Sequence, residues 1–426
     1  MDVRISPSSA LTGAVRLPGD KSISHRYGML SAIAEGVTKL HNYSTGADCH
    51  STLACMSSLG IVIEKDGTEI TVHGKGLHGL KEYAGTLDAG NSGSTIRMLS
   101  GILAGQHFTS RIEGDESLAR RPMARIMKPL AEMGAVIEAR DGSYTPLVIK
   151  GGKLKGITYT PPVASAQVKS CVLFAGIYAD GVTTVNEPIK TRDHSEIALE
   201  SFGAEIQVMG KQVSITGGRP LIGCELSVPG DLSSAAFFLV AATMAKKARV
   251  LISGVGLNPS RSALLDFLAS NGAKIKIQDI RSGSGEISGD LLVENADFQG
   301  GVIDRAMAAA LIDELPVLAV LGAASANGLT VRDASELRVK ETDRIATVAE
   351  NMRRMGIEIS TFEDGFHVPG KQKFKGAEVE SFGDHRIAMA FAVAGLAADG
   401  ETLVKEAEAA SISFPEFYDM LNNLRS

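Results

Sequence analysis

The chain has no tryptophan, only four cysteines in 426 residues, and 5% aromatic side chains. Cys49, Cys55, Cys171 and Cys224 are unevenly spaced and form no CxxC pair, which excludes a disulfide framework and fits a reducing compartment. Few aromatics also means no stacking platform of the kind that single-stranded nucleic acids need. A zinc site from Cys49, His50 and Cys55 stays open, but buried thiols explain these residues more simply, and we expect no metal.

Long apolar runs and an excess of positive charge are also missing. The longest largely apolar stretches, 235–245 and 387–398, are shorter than the roughly 18 residues that a membrane span needs. Residues 1–13 contain no apolar run of signal-peptide length. The 43 Lys and Arg against 49 Asp and Glu give a net charge of -6, which argues against general binding to nucleic acid or anionic membranes. We therefore expect a cytoplasmic protein with neither partner.

A glycine-centred phrase recurs along the chain. In each copy a glycine is followed by Ala or Ile and then by alternating apolar residues, and the copies are centred on Gly60, Gly134, Gly203, Gly272 and Gly356. Glycine suits a left-handed cap at a helix C-terminus, and the alternating run suits a β-hairpin. The C-terminal LNNLRS is where a sixth copy would begin.

A second phrase alternates with the first: a polar loop that opens an apolar helix rich in alanine. Its six copies begin at Gly19, Gly90, Ala164, Gly230, Ile312 and Gly383. Together the two phrases predict an α/β protein in which each unit reads strand, helix, strand, helix, hairpin. The small side chains predict helices that pack closely against each other in an interior.

The tripeptide Pro-Gly-Asp divides the chain into halves. It occurs at 18–20 and 229–231, separated by 211 residues, about half the chain. We predict a domain of three repeats over 20–230, and a second, discontinuous domain of three repeats from 1–19 plus 231–426. The two tripeptides would be hinges that allow closure over a ligand, and we interpret Asp20 and Asp231 as helix caps.

Cationic side chains gather in the polar loops and first helical turns. They are Lys21, Arg26, Arg97, Arg120, Arg121, Arg192, Lys340, Arg344 and Arg386. In an acidic protein, cations at these positions predict a cleft for small polyanionic substrates, because helix N-termini also present free N–H groups. Acid-base candidates lie beside several of them: Asp313, Glu341, Asp384, His385, Asp193 and His194. Taken alone, Asp313 is better interpreted as a helix cap.

Two nucleotide-binding patterns are incomplete. Gly19-Asp20-Lys21-Ser22 resembles the end of a phosphate-binding loop, but an Asp interrupts the Gly-Lys pair. The GxGxxG match at 74–79 is not followed by a helical pattern, and we interpret it as a hairpin loop. We therefore expect no nucleotide cofactor.

Nine motifs, in order and over nearly the whole chain, resemble those of the 5-enolpyruvylshikimate-3-phosphate synthase family: LPGDKSISHR, GNSGSTIR, RRPMARIMKPL, SAQVKS, TRDHSE, IDELP, ELRVKETDR, GDHRIAMA and SFPEF. SAQVKS and RPMARI resemble the bacterial class II branch. The resemblance implies a two-domain inside-out α/β barrel of six βαβαββ repeats, three per domain, without cofactor or metal. It implies transfer of the enolpyruvyl group of phosphoenolpyruvate to the 5-hydroxyl of shikimate 3-phosphate through a tetrahedral ketal, with release of phosphate.

The resemblance also implies roles for residues at the matching positions. Shikimate 3-phosphate would be bound by Lys21, Ser22, Arg26, Ser165, Ala166, Gln167, Arg192, Asp313 and Lys340. Phosphoenolpyruvate would be bound by Lys21, Gly93, Arg121, Gln167, Arg344 and Arg386. The catalytic set would be Lys21, Asp313, Glu341, Lys340 and His385. In it, Asp313 would take the 5-hydroxyl proton, while Glu341 with Lys340 would manage protons at the methylene carbon and the leaving phosphate.

Three positions depart from the other branch of the family. Ala166 replaces a serine, Ile412 replaces a lysine and Met98 replaces a proline, which affects affinities and not the reaction. Gly93 implies sensitivity to the family's inhibitor glyphosate, whereas the class II character of the sequence leaves innate tolerance open as the competing outcome. Two alternatives stay open: the sibling transferase that acts on UDP-N-acetylglucosamine, whose loop carries a Cys that is missing before Arg121, and a non-catalytic anion-binding repeat protein. We expect a monomer.

Overall fold

The computed structural model describes residues 1–283 and 285–425 and divides the chain into two compact units. Unit 1 comprises Met1–Pro18, Pro229–Ser282 and the described chain from Ile287 onward. Unit 2 comprises Gly19–Val228 and the described residues of 283–286. The chain thus passes from one unit to the other at both Pro-Gly-Asp tripeptides.

Unit 1 opens with two strands, β1 (Val3–Ile5) and β2 (Ala10–Arg16). The strands that follow in unit 2 are β3 (Glu35–His41), β4 (Val62–Asp66), β5 (Glu69–Lys75), β6 (Thr86–Asp88), β7 (Thr109–Glu113), β8 (Val136–Arg140), β9 (Tyr144–Lys150), β10 (Leu154–Lys155), β11 (Thr158–Tyr159), β12 (Ala179–Asp180), β13 (Val182–Asn186), β14 (Ile206–Met209), β15 (Gln212–Thr216) and β16 (Glu225–Ser227). Its α-helices are α1 (Lys21–Ile33), α2 (Ala47–Ser58), α3 (Gly93–Ala104), α4 (Ala124–Met133), α5 (Ala166–Gly176) and α6 (His194–Ser201).

The rest of the chain returns to unit 1. Its strands are β17 (Lys247–Gly256), β18 (Lys274–Gly283), β19 (Glu286–Glu294), β20 (Gly301–Ile303), β21 (Leu329–Val331), β22 (Ser360–Phe362), β23 (Gly365–Val368), β24 (Glu378–Glu380) and β25 (Thr402–Lys405). Its α-helices are α7 (Leu232–Met244), α8 (Ala263–Ser270), α9 (Arg305–Ala310), α10 (Leu315–Ala324), α11 (Arg344–Arg354), α12 (His385–Leu396) and α13 (Phe417–Asn423). Short 3-10 helices occupy Leu118–Arg120, Ser335–Val339 and Ala407–Ile412.

Three four-stranded sheets of unit 2 repeat one topology, beside a small parallel pair, β10-β12. In the order β6-β7-β9-β8 the first pair is parallel and the other two pairs are antiparallel. The order β11-β13-β15-β14 repeats this pattern. In the third sheet, β16-β3-β5-β4, the outer parallel strand comes from the end of the unit. The βαβαββ repeat that the two phrases predict is therefore confirmed.

Unit 1 uses its two N-terminal strands to complete two sheets. β2 pairs in parallel with β17 in the sheet β18-β19-β17-β2. β1 pairs antiparallel with β25 in the three-stranded sheet β1-β25-β24. The remaining sheet, β20-β21-β23-β22, has the same order as those of unit 2.

Local sequence signals explain where these elements begin and end. Asp20 accepts a hydrogen bond from Ile23 N at 3.0 Å and Asp231 accepts one from Ser233 N at 2.8 Å, so both caps are confirmed. The five glycines of the recurring phrase all have positive φ, from 76° to 108°, as the left-handed caps require. The prediction of a hairpin loop at 74–79 is wrong: the β4–β5 turn lies before this segment, which ends β5 and then leads toward β6.

Helices fill the interior of each unit. Helix α7 is buried on all sides for most of its length, because it is apolar throughout and not along one stripe. In unit 2, a Cβ on Gly101 of α3 would lie 2.2 Å from the carbonyl oxygen of Cys171 in α5, so only glycine permits this helix spacing. Within the described part of the chain, no helix is both long and apolar enough to cross a membrane.

Candidate active site

Lys21 begins helix α1 at the first of the predicted anion-binding loops. Its Nζ lies 3.1 Å from Oδ2 of Asp48 on α2, and the two side chains are 16% and 8% exposed. The Asp48 carboxylate thus orients the Lys21 ammonium group, which stays partly exposed to solvent. Asp48 was not among the predicted site residues, because nothing in its spacing from Lys21 signals that α2 brings it there.

Arg26, one turn further along α1, is buried, and each of its three guanidinium nitrogens donates a hydrogen bond to a polar group. Its Nε donates to Ser195 Oγ at 2.7 Å, Nη2 donates to Ser170 Oγ at 2.8 Å, and Nη1 donates to Ser22 O at 2.7 Å. Burial lowers the pKa of Arg26 to about 10, against the opposing charge of Glu196. This guanidinium therefore joins helices α1, α5 and α6.

Gly93, where phosphoenolpyruvate is expected, is the first residue of α3 and follows the loop 89–92; we call this loop together with Gly93 the Gly93 loop. Ser92 caps the helix by accepting from Thr95 N at 3.0 Å. A Cβ on Gly93 would lie 3.0 Å from Nη1 of Arg97. That same Nη1 donates to Oε1 of Gln167 at 2.7 Å. The space in front of Gly93 is thus bounded by a guanidinium that also holds a predicted substrate ligand.

Helix α5 begins with three further predicted ligands. Ser165 caps it by accepting from Val168 N at 3.4 Å, and Ala166 and Gln167 are its first two residues. Gln167 Nε2 donates to Ser94 Oγ at 3.0 Å. Ser165, Ala166 and Gln167 therefore lie at one helix end, and Gln167 ties that end to the Gly93 loop.

Arg121 lies beside the same loop. Its Nη2 donates to Asn91 Oδ1 at 2.8 Å and to Ser117 Oγ at 3.0 Å, and the side chain is 7% exposed. Arg192 lies two residues before α6, the helix that carries Ser195. Unit 2 thus brings together Lys21, Ser22, Arg26, Gly93, Arg121, Ser165, Ala166, Gln167 and Arg192 around helix starts.

Unit 1 holds a second cluster, centred on Asp313. The interpretation of Asp313 as a helix cap is wrong, because Glu314 is the N-cap position of α10. The Asp313 carboxylate instead lies 3.6 Å from Lys340 Nζ, 3.6 Å from Arg344 Nη1 and 3.9 Å from Arg386 Nε. One carboxylate therefore contacts three cations that are distant in sequence.

Arg344 is the most buried of these cations, with 1% exposure. Burial opposes its charge, yet Asp384, Glu341 and Asp313 together raise its pKa above the usual value. Asp384 accepts from its Nε at 2.8 Å and Nη2 at 3.1 Å, and Glu341 accepts from Nη2 at 2.6 Å. Asp384 also caps α12 through Arg386 N, so we assign it a supporting role and not acid-base chemistry.

The remaining candidates of this cluster differ in exposure. The Lys340 and Glu341 side chains are 28% and 18% exposed. His385, the first residue of α12, is 1% exposed. Lys340 and Glu341 are accessible to a ligand that enters from solvent. His385 is not, so it can act in proton transfer only through neighbouring residues.

The cysteines behave as the simpler interpretation predicts. Cys49 Sγ contacts Lys21 O at 3.5 Å and Cys55 Sγ contacts Asp88 O at 3.3 Å. Burial raises the pKa of both thiols, that of Cys55 to about 12. Within 1–283 and 285–425, no group of three or more His, Cys, Asp or Glu residues is arranged to hold a metal ion.

The repeats and the two clusters define an α/β enzyme that handles small anionic substrates. The family model described as EPSP synthase (3-phosphoshikimate 1-carboxyvinyltransferase) matches residues 5–421. The chain therefore belongs to the EPSP synthase family.

Individual relatives agree with this assignment. The chain is 63% identical over 424 residues to the 3-phosphoshikimate 1-carboxyvinyltransferase of Solibacter usitatus, with 100% of both chains covered. It is 54% identical to the enzyme of that name from Koribacter versatilis, with 99% of both covered. The solved EPSP synthase of Acinetobacter baumannii has a TM-score of 0.89 and 41% identity, over 100% of this chain and 98% of that one.

The family fixes both fold and reaction. The chain has the two-domain inside-out α/β fold, with helices inside and sheets outside in each unit. It is an enzyme that transfers the enolpyruvyl group of phosphoenolpyruvate to the 5-hydroxyl of shikimate 3-phosphate and releases phosphate, a step of aromatic amino acid biosynthesis. The alternatives of a sugar-nucleotide transferase and a non-catalytic binding protein are thereby set aside.

Proposed function

We propose that the two clusters divide the work of this reaction. In unit 2, Ser22, Arg26, Ser165, Ala166, Gln167 and Arg192 bind shikimate 3-phosphate. Gly93, Arg121, Gln167, Arg344 and Arg386 bind phosphoenolpyruvate. Lys21 contacts both substrates. Helix starts and paired arginines suit phosphate and carboxylate groups, because both offer N–H donors together with positive charge.

The surroundings of Asp313 are the observation that best supports this mechanism. Its contacts with Lys340, Arg344 and Arg386 support a role as acceptor of the 5-hydroxyl proton, because three cations stabilise negative charge at this point. The same cations stabilise the charge that develops on the ketal oxygens and on the departing phosphate. Fixed donors do this without reorganising during the reaction.

Glu341 and Lys340 complete the proton transfers. Glu341 donates a proton to the methylene carbon when the ketal forms and takes one back when it collapses. Lys340 binds shikimate 3-phosphate and stabilises the leaving phosphate. His385, which directly precedes Arg386 on the first turn of α12, supports these steps.

The proposal includes no cofactor and no metal, because the two substrates and the protein side chains account for every proton and charge in the reaction. We further propose that the enzyme acts as a cytoplasmic monomer. The composition and the few unpaired cysteines support the location.

Phosphate release tests the substrate assignment. With the full chain, phosphoenolpyruvate and shikimate 3-phosphate together should release phosphate. Neither substrate alone, nor phosphoenolpyruvate with UDP-N-acetylglucosamine, should do so. Phosphate release with the sugar nucleotide would contradict the substrate assignment.

A further inference from the structure

Lys169 is a buried cation that the proposed function does not use. It lies on α5, and its side chain is 1% exposed. Nζ lies 3.0 Å from Glu187 Oε2 and 2.6 Å from Glu196 Oε1. An ammonium group buried in this way is costly unless it is paired, so one cation and two carboxylates form a single unit.

The two carboxylates belong to the two ends of one loop. Glu187 follows β13, and its Oε1 accepts from Thr191 N at 3.0 Å and from the Thr191 hydroxyl. Thr191 is the residue directly before Arg192. Glu196 lies in the first turn of α6, at the other end of the loop. Lys169 thus attaches both ends of the Arg192 loop to α5.

Helices α5 and α6, which carry Lys169 and Glu196, also hold Arg26. Ser170, which follows Lys169, accepts from Arg26 Nη2 at 2.8 Å. Ser195, which precedes Glu196, accepts from Arg26 Nε at 2.7 Å. The two hydroxyls are 2.6 Å apart. A shift of α6 away from α5 would therefore displace Arg26 as well as Arg192.

Glu196 depends on Lys169 for its charge. Its Oε2 is buried and has no hydrogen-bond partner among the residues that the structure describes. Burial raises the pKa of Glu196, and the Lys169 charge works against that rise. Without Lys169, both Glu187 and Glu196 would remain buried without a cation, a strongly destabilising arrangement that the loop could relieve by moving outward.

We propose that Lys169 is a positioning residue for shikimate 3-phosphate: by pairing with Glu187 and Glu196, it holds Arg192 and Arg26 in their binding positions. This inference rests on the proposed assignment of Arg26 and Arg192 to that substrate. Lys169 does not touch the substrate itself. Its effect should therefore be larger in the KM for shikimate 3-phosphate than in the KM for phosphoenolpyruvate, because Gln167 is the only predicted phosphoenolpyruvate ligand that shares α5 with Lys169.

The first test replaces the cation in the full chain. Lys169→Met should raise the KM for shikimate 3-phosphate about tenfold or more and change that for phosphoenolpyruvate less than about twofold, because a misplaced charged donor weakens one anion site only. Lys169→Met combined with Glu196→Gln removes one of the two uncompensated charges, and it should recover part of the melting temperature and part of the KM. Equal changes in both KM values would overturn the proposal.

A core variant of the same helix controls for lost stability. Val172 on α5 is fully buried and apolar. Val172→Ala should lower the melting temperature but leave the KM for shikimate 3-phosphate unchanged, because it creates a cavity without touching the ion network. A rise in that KM similar to the rise in Lys169→Met would reduce Lys169 to a purely structural residue.

A double-mutant cycle separates this inference from the assignment on which it rests. If Lys169 acts through Arg192, Lys169→Met should add little in an Arg192→Met background. An unchanged KM for shikimate 3-phosphate in Arg192→Met alone would overturn the assignment of Arg192 and the route through it. A raised KM in Arg192→Met with an unchanged KM in Lys169→Met would overturn the role of Lys169 only.

Discussion

At the scale of single residues, the Lys21–Asp48 pair fixes a charge at the start of α1, with 3.1 Å between Nζ and Oδ2. Since Lys21 is assigned to both substrates, Lys21→Met should remove charge stabilisation in the transition state as well as in binding. We expect kcat to collapse while the circular dichroism spectrum stays that of the native protein. Lys39→Met, at an exposed position on β3, is the control. Near-normal kcat with only a raised KM would contradict the role of Lys21.

Gly93 sets the room available in the phosphoenolpyruvate loop. The added Cβ of Gly93→Ala would lie 3.0 Å from Arg97 Nη1, a flexible group that has to move by a few tenths of an ångström. Glyphosate is longer than phosphoenolpyruvate and should fill this space more completely. We therefore expect the unmodified enzyme to be inhibited, and the substitution to weaken the inhibitor about tenfold more than the substrate.

Inhibition constants and KM values for phosphoenolpyruvate measure this difference. Gly152→Ala is the matched control, because a Cβ at Gly152 meets nothing within 4 Å. Equal loss of affinity for inhibitor and substrate would mean that the longer molecule does not press against Gly93.

At the scale of elements, a buried polar chain joins α1, α2 and the start of α3. His25 Nδ1 lies 2.7 Å from Thr52 Oγ1, Thr52 Oγ1 lies 2.7 Å from Thr95 Oγ1, and Thr95 donates to Ser92 Oγ at 2.8 Å. Burial, followed by the charges of Lys21 and Arg26, lowers the pKa of His25 well below 6.5. This polar chain thus links His25 to the Gly93 loop, and burial favours the neutral imidazole at its end.

This pKa shift predicts a loss of stability in acid. Between the usual histidine pKa and the lowered one, only the unfolded chain binds the His25 proton. The free energy of unfolding should therefore fall as pH drops below about 6.5, by at most about 1.4 kcal/mol per pH unit from this group. His25→Gln should show a correspondingly shallower slope in urea unfolding across that range. Identical slopes in the two proteins would contradict the assignment.

At the scale of the whole molecule, the two crossovers between units are buried and hydrogen-bonded. Pro18, Gly19 and Gly230 are buried, and Asp231 N donates to Pro18 O at 3.2 Å. A protease would reach such segments poorly, so amide exchange is the better probe of the predicted hinges. We expect shikimate 3-phosphate alone to slow exchange at Gly230 and Asp231. Amide exchange that is the same with and without shikimate 3-phosphate would contradict the prediction that these segments are hinges.

The sequence predicted most of the repeat and its caps, because these depend on signals within a few residues. Asp20 before an apolar run is a local signal, as is Gly134 after one. Contacts between residues that are far apart in the sequence leave no local signal of this kind. Asp384 pairs with Arg344, 40 residues away, although the sequence marked it only as an acid-base candidate. Lys169 pairs with Glu187 across two elements, and in the sequence both look like ordinary surface charges. The family motifs supplied the site residues, but not these partners.

The proposed mechanism requires above all that Asp313 accepts the 5-hydroxyl proton, and substitution of Asp313 by an amide tests this directly. Asp313→Asn keeps the shape of the side chain but cannot take a proton. It should bind both substrates with near-normal Kd yet lower kcat about 100- to 10,000-fold, whereas Asp399→Asn, at an exposed position of unit 1, should leave kcat unchanged. Full turnover in Asp313→Asn would contradict the account, as would a loss explained entirely by weaker substrate binding.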